Sequence, residues 1–215
     1  MSKVISLEQA ADKIKDSAVL MIGGFLVNGT PTRLVDAIVD RGYKNLTVIA
    51  NDTGYPDRGI GKLIVNRQAK KVIVSHVGTN SETGRQMNAN ELEVELSPQG
   101  TLIERIRSGG AGLGGVLTPT GVGTVVAEGK TTVDVDGRTF LLEKPLRADI
   151  ALIKAHKADL EGNLIFRRST RNFNPQMATA ADYVIAEVEN IVPTGEIDPD
   201  EVMVPGIFVD ALIQA

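Results

Sequence analysis

The chain contains no cysteine and no tryptophan. Without cysteine it can build no disulfide framework, no thiolate metal site and no cysteine nucleophile, a composition that suits the cytoplasm. Only two histidines occur, His76 and His156, far apart and with no carboxylate motif beside either. A zinc site or a Ser-His-Asp triad is therefore unsupported, no metal is expected, and both histidines read as structural or surface residues. Aromatics make up 4% of the chain, too few for platforms on which bases would stack. Positive charge is also short. A net charge of −4 and a pI near 5.3 argue against nucleic acid or an anionic membrane as the partner. No apolar run approaches the roughly 18 residues of a membrane span. The opening stretch MSKVISLEQAADKIKD is mixed and charged, the wrong texture for a signal peptide.

What is present is an ordinary globular make-up over 215 residues, 42% hydrophobic and 23% charged. With no linker and no low-complexity block, one domain over 1–215 is expected. Residues 6–15 place Leu7, Ala10, Ala11 and Ile14 at helical spacing behind Ser6 as N-cap. Ala18 to Ile22 is a short apolar run suited to a strand buried on both faces. A helix with Leu34, Val35, Ile38 and Val39 on one face follows, with Thr30 placed to cap it and Pro31 at its first position. Strands are then expected at 45–52, 70–77, 148–156 and 182–192, a strand then a turn over 92–100, a turn into a strand over 160–166, and helices at 60–66, 101–108 and 174–181. The polar stretch 78–90 reads as a loop and the tail after Pro193 as extended. Residues 131–143 alternate apolar and polar around Asp136-Gly137, a type I′ hairpin signal. This succession implies an α/β fold: an open, mostly parallel sheet flanked by helices, with an inserted hairpin near 131–143.

Ligands of such sheets sit outside the carboxyl ends of the strands, where three stretches look chemical. The first is Gly23-Gly24-Phe25 through Gly29-Thr30-Pro31. It fits neither dinucleotide nor P-loop patterns, so it is either a tight packed turn or a cradle for an oxygen or thioester beside a helix N-terminus. Asn51-Asp52 ends the next strand and is either a plain turn or a polar site. Gln99, in Pro98-Gln99-Gly100, has no acid–base power, yet its amide can donate to a developing oxyanion. Glu82, in SETG (81–84), reads as a solvated carboxylate. Seven of the 22 glycines crowd into 109–123, a stretch read as an irregular loop, a lid or a subunit contact.

Taken together, DSAVLMIGGFLVNGTP (16–31), NDTGYPDRGIGKLI (51–64), SPQGTLIERIRSGGAGLGGVLTPTGVGT (97–124) and NFNPQMA (172–178) resemble the α subunit of the two-subunit, family I CoA-transferases. The likeness is nearest to the acetate or butyrate:acetoacetate type. It covers essentially the whole chain, with one departure: Ser17 stands where the signature prefers Gly or Asn, at the entry to the strand. The resemblance implies CoA as a substrate, with no permanently bound cofactor, and small carboxylic acids as its partners in exchange. It also implies a ping-pong reaction through a glutamyl-CoA thioester. The nucleophilic glutamate of that family lies in a Ser-Glu-Asn-Gly motif on the β subunit, and this chain has none. The resemblance therefore implies an α2β2 assembly, inactive without its β subunit. Gly24, Phe25, Leu26, Val27, Asn28, Gly29 and Thr30 would form the CoA-contacting loop, with bare backbone passing close to the thioester arm. Asn51 and Gln99 would line the reaction centre. The competing readings are a sugar-phosphate isomerase of similar fold and a non-catalytic acyl-CoA-binding subunit.

Overall fold

The computed structural model describes residues 3–215. The chain begins with helix α1 (Leu7–Ala11), closed by a capping box in which Ser6 Oγ accepts from Gln9 N and the Gln9 side chain accepts from Ser6 N. Strand β1 (Val19–Ile22) leads through a loop to α2 (Thr32–Arg41), and β2 (Leu46–Ile49) leads through a second loop to α3 (Gly61–Val65). Then follow β3 (Ala69–Val74), α4 (Ser81–Asn88), β4 (Glu93–Leu96) and α5 (Gln99–Gly110). Three short strands come next: β5 (Val116–Thr118), β6 (Thr132–Val135) and β7 (Arg138–Glu143). The long strand β8 (Ala148–Asp159), the two-residue β9 (Leu164–Ile165), α6 (Asn174–Thr179), the long β10 (Ala181–Val192) and β11 (Ala211–Gln214) complete the fold.

The main sheet runs β11-β10-β8-β1-β2-β3-β4, with every neighbouring pair parallel and β9 antiparallel on β8. Leu20 of β1 sits level with Val48 on one side and Ile150 on the other. Alternation along the strands divides their apolar side chains between two layers. Leu20, Ile22, Val48 and Val72 pack under α1 to α3, against Ala10, Leu34, Ile38 and Leu63. Met21, Ile49 and Ile73 pack under α5 and α6, against Leu102, Ile106 and Met177. Each such side chain contributes about 1.5–3 kcal/mol on burial, which is why these strands read as unbroken apolar runs.

Several expectations need correction. The polar stretch 78–90 is not a loop: it carries α4, capped by Asn80, whose Oδ1 accepts from Glu82 N and Thr83 N. Its buried face is polar. Gln86 Nε2 donates to Ile64 O at 2.8 Å and Thr83 Oγ1 meets Thr53 Oγ1 at 3.0 Å, so no apolar period betrays the helix. Helix α5 starts two residues before the expected Thr101, which puts Gln99 itself at its first position behind Pro98. Pro31 is the N-cap of α2 and Thr30 does not cap it; the buried Glu187 of β10 does so instead, its Oε2 accepting from Leu34 N at 3.1 Å. The 131–143 hairpin forms, with Asp136 and Gly137 both at positive φ as a type I′ turn demands. Rather than joining the main sheet, it pairs with β5 from the glycine-rich stretch in a separate antiparallel sheet, β5-β7-β6. The extended tail also ends in a strand, β11, which closes one edge of the main sheet.

Because the chain runs outward from β1 to β4 on one side and resumes at β8 on the other, β1 lies at a topological switch point. Crevices open at the carboxyl ends of such strands.

Candidate active site

The loop after β1 enters that crevice through a tight turn. Phe25 N donates to Asn28 O at 3.0 Å and Asn28 N donates to Phe25 O at 2.9 Å. The two residues between them, Leu26 (φ 48°) and Val27 (φ 73°), both lie in the left-handed region. Neither is a residue that chooses it, and each such position costs about 1–3 kcal/mol.

Contacts from elsewhere in the chain hold the turn. Asp52, at the end of β2 and 2% exposed, accepts from Leu26 N at 3.0 Å and from Gly54 N at 2.7 Å. Asn172 spans the loop from the far side: its Oδ1 accepts from Gly24 N at 3.2 Å and its Nδ2 donates to Asn28 O at 2.9 Å. Asn28 Nδ2 donates to Ser169 Oγ at 2.8 Å. The fully buried Asn174 donates to Gly29 O and Thr170 O and accepts from Lys154 N on β8.

This clasp explains the paired glycines. A Cβ on Gly23 would lie 1.8 Å from Asn174 Oδ1, and one on Gly24 would lie 2.0 Å from Thr30 Oγ1. The bare backbone therefore admits the protein's own polar side chains. That close packing is a reason for the two glycines within the chain itself, beside the contact with the thioester arm that the resemblance implies.

Between the loop, β2 and α5 lies a cleft of about 440 Å³. Phe25 and Asn28 line it from the loop, Asn51 from the end of β2, Gln99 and Ile103 from α5, and Ser169, Asn172, Phe173 and Gln176 from the segment entering and forming α6. The sheet thus brings together Phe25, Asn28, Asn51 and Gln99 of the residues singled out in the sequence. Gly24, Leu26, Val27, Gly29 and Thr30 shape the loop without lining the cleft. Sequence reasoning did not assign roles to Asn172, Asn174, Ser169, Phe173 or Gln176, although NFNPQMA carries four of the five.

At the floor, Asn51 is 2% exposed and its Oδ1 accepts from Gln99 Nε2 at 2.9 Å. The Ser75 hydroxyl lies 2.9 Å from the same oxygen and 2.7 Å from Asn51 O. With its oxygen engaged, Asn51 keeps Nδ2 as a donor that has no partner among the described residues, and Gln99 Nε2 keeps its second N–H. The positive end of α5 stands behind Gln99. Such donors stabilise negative charge growing on an oxygen. None of the lining residues is a carboxylate, histidine, lysine, cysteine or tyrosine, so the cleft holds no acid or base, and its one hydroxyl, Ser169, has no base among the lining residues to activate it.

Glu82 lies outside the cleft, in the first turn of α4, clamped by Arg85 at 2.7 and 2.9 Å and by Gln86 at 2.8 Å. Those bonds, Arg85 first, hold its carboxyl down at about 2. A carboxylate so stabilised is a weak nucleophile, in keeping with a structural role. His156 faces Glu189 at 2.8 Å, and neither histidine lines the cleft. Among the described residues no cluster of three metal-ligating side chains occurs, and no helix is long and apolar enough to cross a membrane.

A doubly wound sheet whose switch-point cleft offers amide donors and no charge defines a class: an α/β protein whose site can stabilise an oxygen that gains charge but has no acid or base of its own. Comparison with known proteins makes the class specific. The profile of the family "Coenzyme A transferase" matches residues 4–215, and the chain belongs to that family. It is 56% identical over 212 residues to the acetate CoA-transferase subunit alpha of Escherichia coli K12, covering 99% of this chain and 96% of that one. It is 52% identical to the acetoacetyl-CoA:acetate/butyrate CoA transferase alpha subunit of Clostridium acetobutylicum, covering 99% and 98%. Among solved structures, glutaconate coenzyme A-transferase from Acidaminococcus fermentans shares the fold with a TM-score of 0.88 at 21% identity, over the whole of this chain and 76% of that one. An acyl-CoA transferase of Escherichia coli O157:H7 shares it with a TM-score of 0.86 at 24% identity, over the whole of this chain and 47% of that one.

Proposed function

We propose that this chain is the α subunit of a CoA-transferase that exchanges CoA between a short-chain acyl-CoA or 3-oxoacyl-CoA and a free carboxylate such as acetate, butyrate or acetoacetate. The carrying observation is the cleft of amide donors without an ionisable group. A partner β subunit, in an α2β2 assembly, supplies the glutamate from a Ser-Glu-Asn-Gly motif. A carboxylate oxygen of that glutamate attacks the thioester carbonyl, the C–S bond breaks, CoA leaves as thiolate, and a mixed anhydride of the glutamate and the acyl group remains. The thiolate then attacks the glutamyl carbonyl, releasing the first acid and leaving a glutamyl-CoA thioester. The acceptor carboxylate reverses both steps and departs as its CoA ester. Gln99 Nε2 and Asn51 Nδ2 donate to the oxygen that gains charge, while Phe25 and Phe173 give the acyl chain apolar walls.

An isomerase would need a carboxylate base within the cleft, and the lining residues include none. The test is co-expression with the β-type chain, assay of CoA transfer from acetyl-CoA to butyrate, and trapping of the acyl-enzyme with hydroxylamine. The modified glutamate is expected on the β chain; modification of this chain would overturn the proposal. Gln99→Ala should lower turnover about a hundredfold with the complex still assembled. Unchanged turnover would remove Gln99 from the site.

A further inference from the structure

The segment that supplies Ser169 and Asn172 to the cleft also carries Arg167, Arg168 and Arg171, all exposed. Among the described residues their side chains have no hydrogen-bond, ion-pair or ring partner. That sets them apart from every other arginine of the chain. The rest form ion pairs with Asp or Glu, except Arg33, which donates to Gln214 O, and Arg138, which stacks over Phe140. Three uncompensated cations within five residues are unexpected in a protein of net charge −4, and they alternate along the chain with Ser169 and Asn172, which line the cleft.

The segment is also fixed rather than loose. Arg168 sits at φ 53°, Thr170 Oγ1 and N both donate to Arg167 O, and Asn174 Nδ2 donates to Thr170 O at 2.8 Å. Asn28 and Asn172 tie it to the loop after β1. A left-handed non-glycine held by surrounding bonds marks a shape that the fold imposes.

We infer that Arg167, Arg168 and Arg171 form the recognition site for the phosphate groups of the CoA nucleotide. The inference rests on the reading of the cleft as a CoA-transferase site. CoA divides into an uncharged arm of amides and methylenes that ends in sulfur, and a nucleotide end that bears a diphosphate and a ribose phosphate. The molecule here divides the same way, with a neutral cleft lined by amides and two phenylalanines and exposed guanidinium groups on the segment that borders it. None of the three arginines lines the cleft, so a small acid held at Gln99 stays away from them. The arm of CoA separates thioester from phosphates and carries the charge out to the arginines. Arginine's planar fork suits phosphate oxygens, and each uncompensated guanidinium adds to the steering of a polyanion.

The test compares the reconstituted wild-type complex with R167Q/R168Q/R171Q and with a triple lysine variant. Acetyl-CoA and S-acetylpantetheine, which lacks the nucleotide, serve as donors. The glutamine variant should raise KM for acetyl-CoA by about 10- to 100-fold, through loss of charge-assisted contacts, and leave kcat/KM for acetylpantetheine unchanged. Lysine should restore part of the loss. KM for acetyl-CoA should climb steeply with salt in the wild type and less steeply in the glutamine variant, a second readout that does not need the truncated donor. Equal losses on both donors, a loss confined to the acceptor acid, failure of the variant to assemble with the β chain, or an unchanged KM and salt slope would each overturn the inference. A wild-type complex without CoA transfer would instead overturn the functional proposal, so the two failures are separable.

Discussion

The loops that follow β1 and β2 have one outline and two constructions. Each has a bridge, two turn residues, a bridge and a glycine at positive φ: Phe25 to Gly29 in the first, Tyr55 to Gly59 in the second. In the second, the central pair is Pro56-Asp57, neither at positive φ, a pair that forms a turn by its own local chemistry. In the first, the central pair is Leu26-Val27, both left-handed, and the shape depends on Asp52, Asn172 and Asn174. Only the first lines the cleft. The relaxed loop supports its neighbour: Gly59 packs beside the Val27 methyls, and Asp52, at the head of the second loop, holds Leu26 N. Strain has gathered where the geometry of the site is set, and unstrained turn chemistry stands one strand away.

The comparison can be broken most severely at the asparagines behind each loop. Asn174→Ala strands Gly29 O and Lys154 N in a buried place and should cost about 3 kcal/mol or more of stability, together with most of the transferase activity of the complex. Asn80→Ala, behind the second loop, removes the α4 cap and the bond to Thr53 O. It should cost about 1–2 kcal/mol and leave kcat/KM intact. Thermal unfolding and steady-state rates measured on both variants decide the matter; equal effects on rate would erase the distinction.

A sharper version exchanges the turns. Leu26→Asn with Val27→Gly supplies residues that adopt left-handed backbone freely and should gain about 1 kcal/mol. The same Asn-Gly pair in place of Pro56-Asp57 should lose about 1 kcal/mol, since proline's restriction of the unfolded chain is given up. Urea midpoints that shift in the same direction would refute the assignment of strain to the first loop.

The smallest effect lies at the helix behind the first loop. Burial, the largest influence, holds the Glu187 carboxyl above its ordinary value of 4.5. The native state therefore prefers the proton, and wild-type stability is full below about 4.5 and declines as pH rises through the raised value. Glu187→Gln keeps an acceptor for Leu34 N without that penalty. The variant should match the wild type near pH 4 and melt a few degrees higher at neutral pH. A melting difference that does not vary with pH would remove burial of the charge as its cause.

What could be read from the sequence follows from where the deciding contacts lie. Strands β1, β2 and β8 were legible because both faces are buried and the apolar residues run together. The 131–143 hairpin was legible because Asp136-Gly137 acts within its own turn. Helix α4 was not, since Thr83 and Gln86 face a polar interior. Strand β5 was hidden among glycines, and its pairing with β7 depends on residues beyond them. At the site, Asn51 read as a plain turn or a polar site and Gln99 as a candidate donor, and only the resemblance joined them, because the bond between them spans 48 positions. The turn at Leu26-Val27 could not, because nothing in those side chains asks for it. The clasp was invisible for the same reason: its halves are separated by most of the chain.

That separation has a consequence for the order of events during synthesis. Gly24 and Asn172 stand 148 positions apart, and Asn28 meets the same asparagine across 144. A ribosome has released the first loop long before it makes the residues that give the loop its form. Until then Gly23 has no asparagine to rest against and the turn has no reason to hold. A chain that stops short of Asn172 lacks both the clasp and one side of the cleft. Possession of a formed clasp is a certificate that synthesis has passed Asn174 and that two distant stretches of the polypeptide have met.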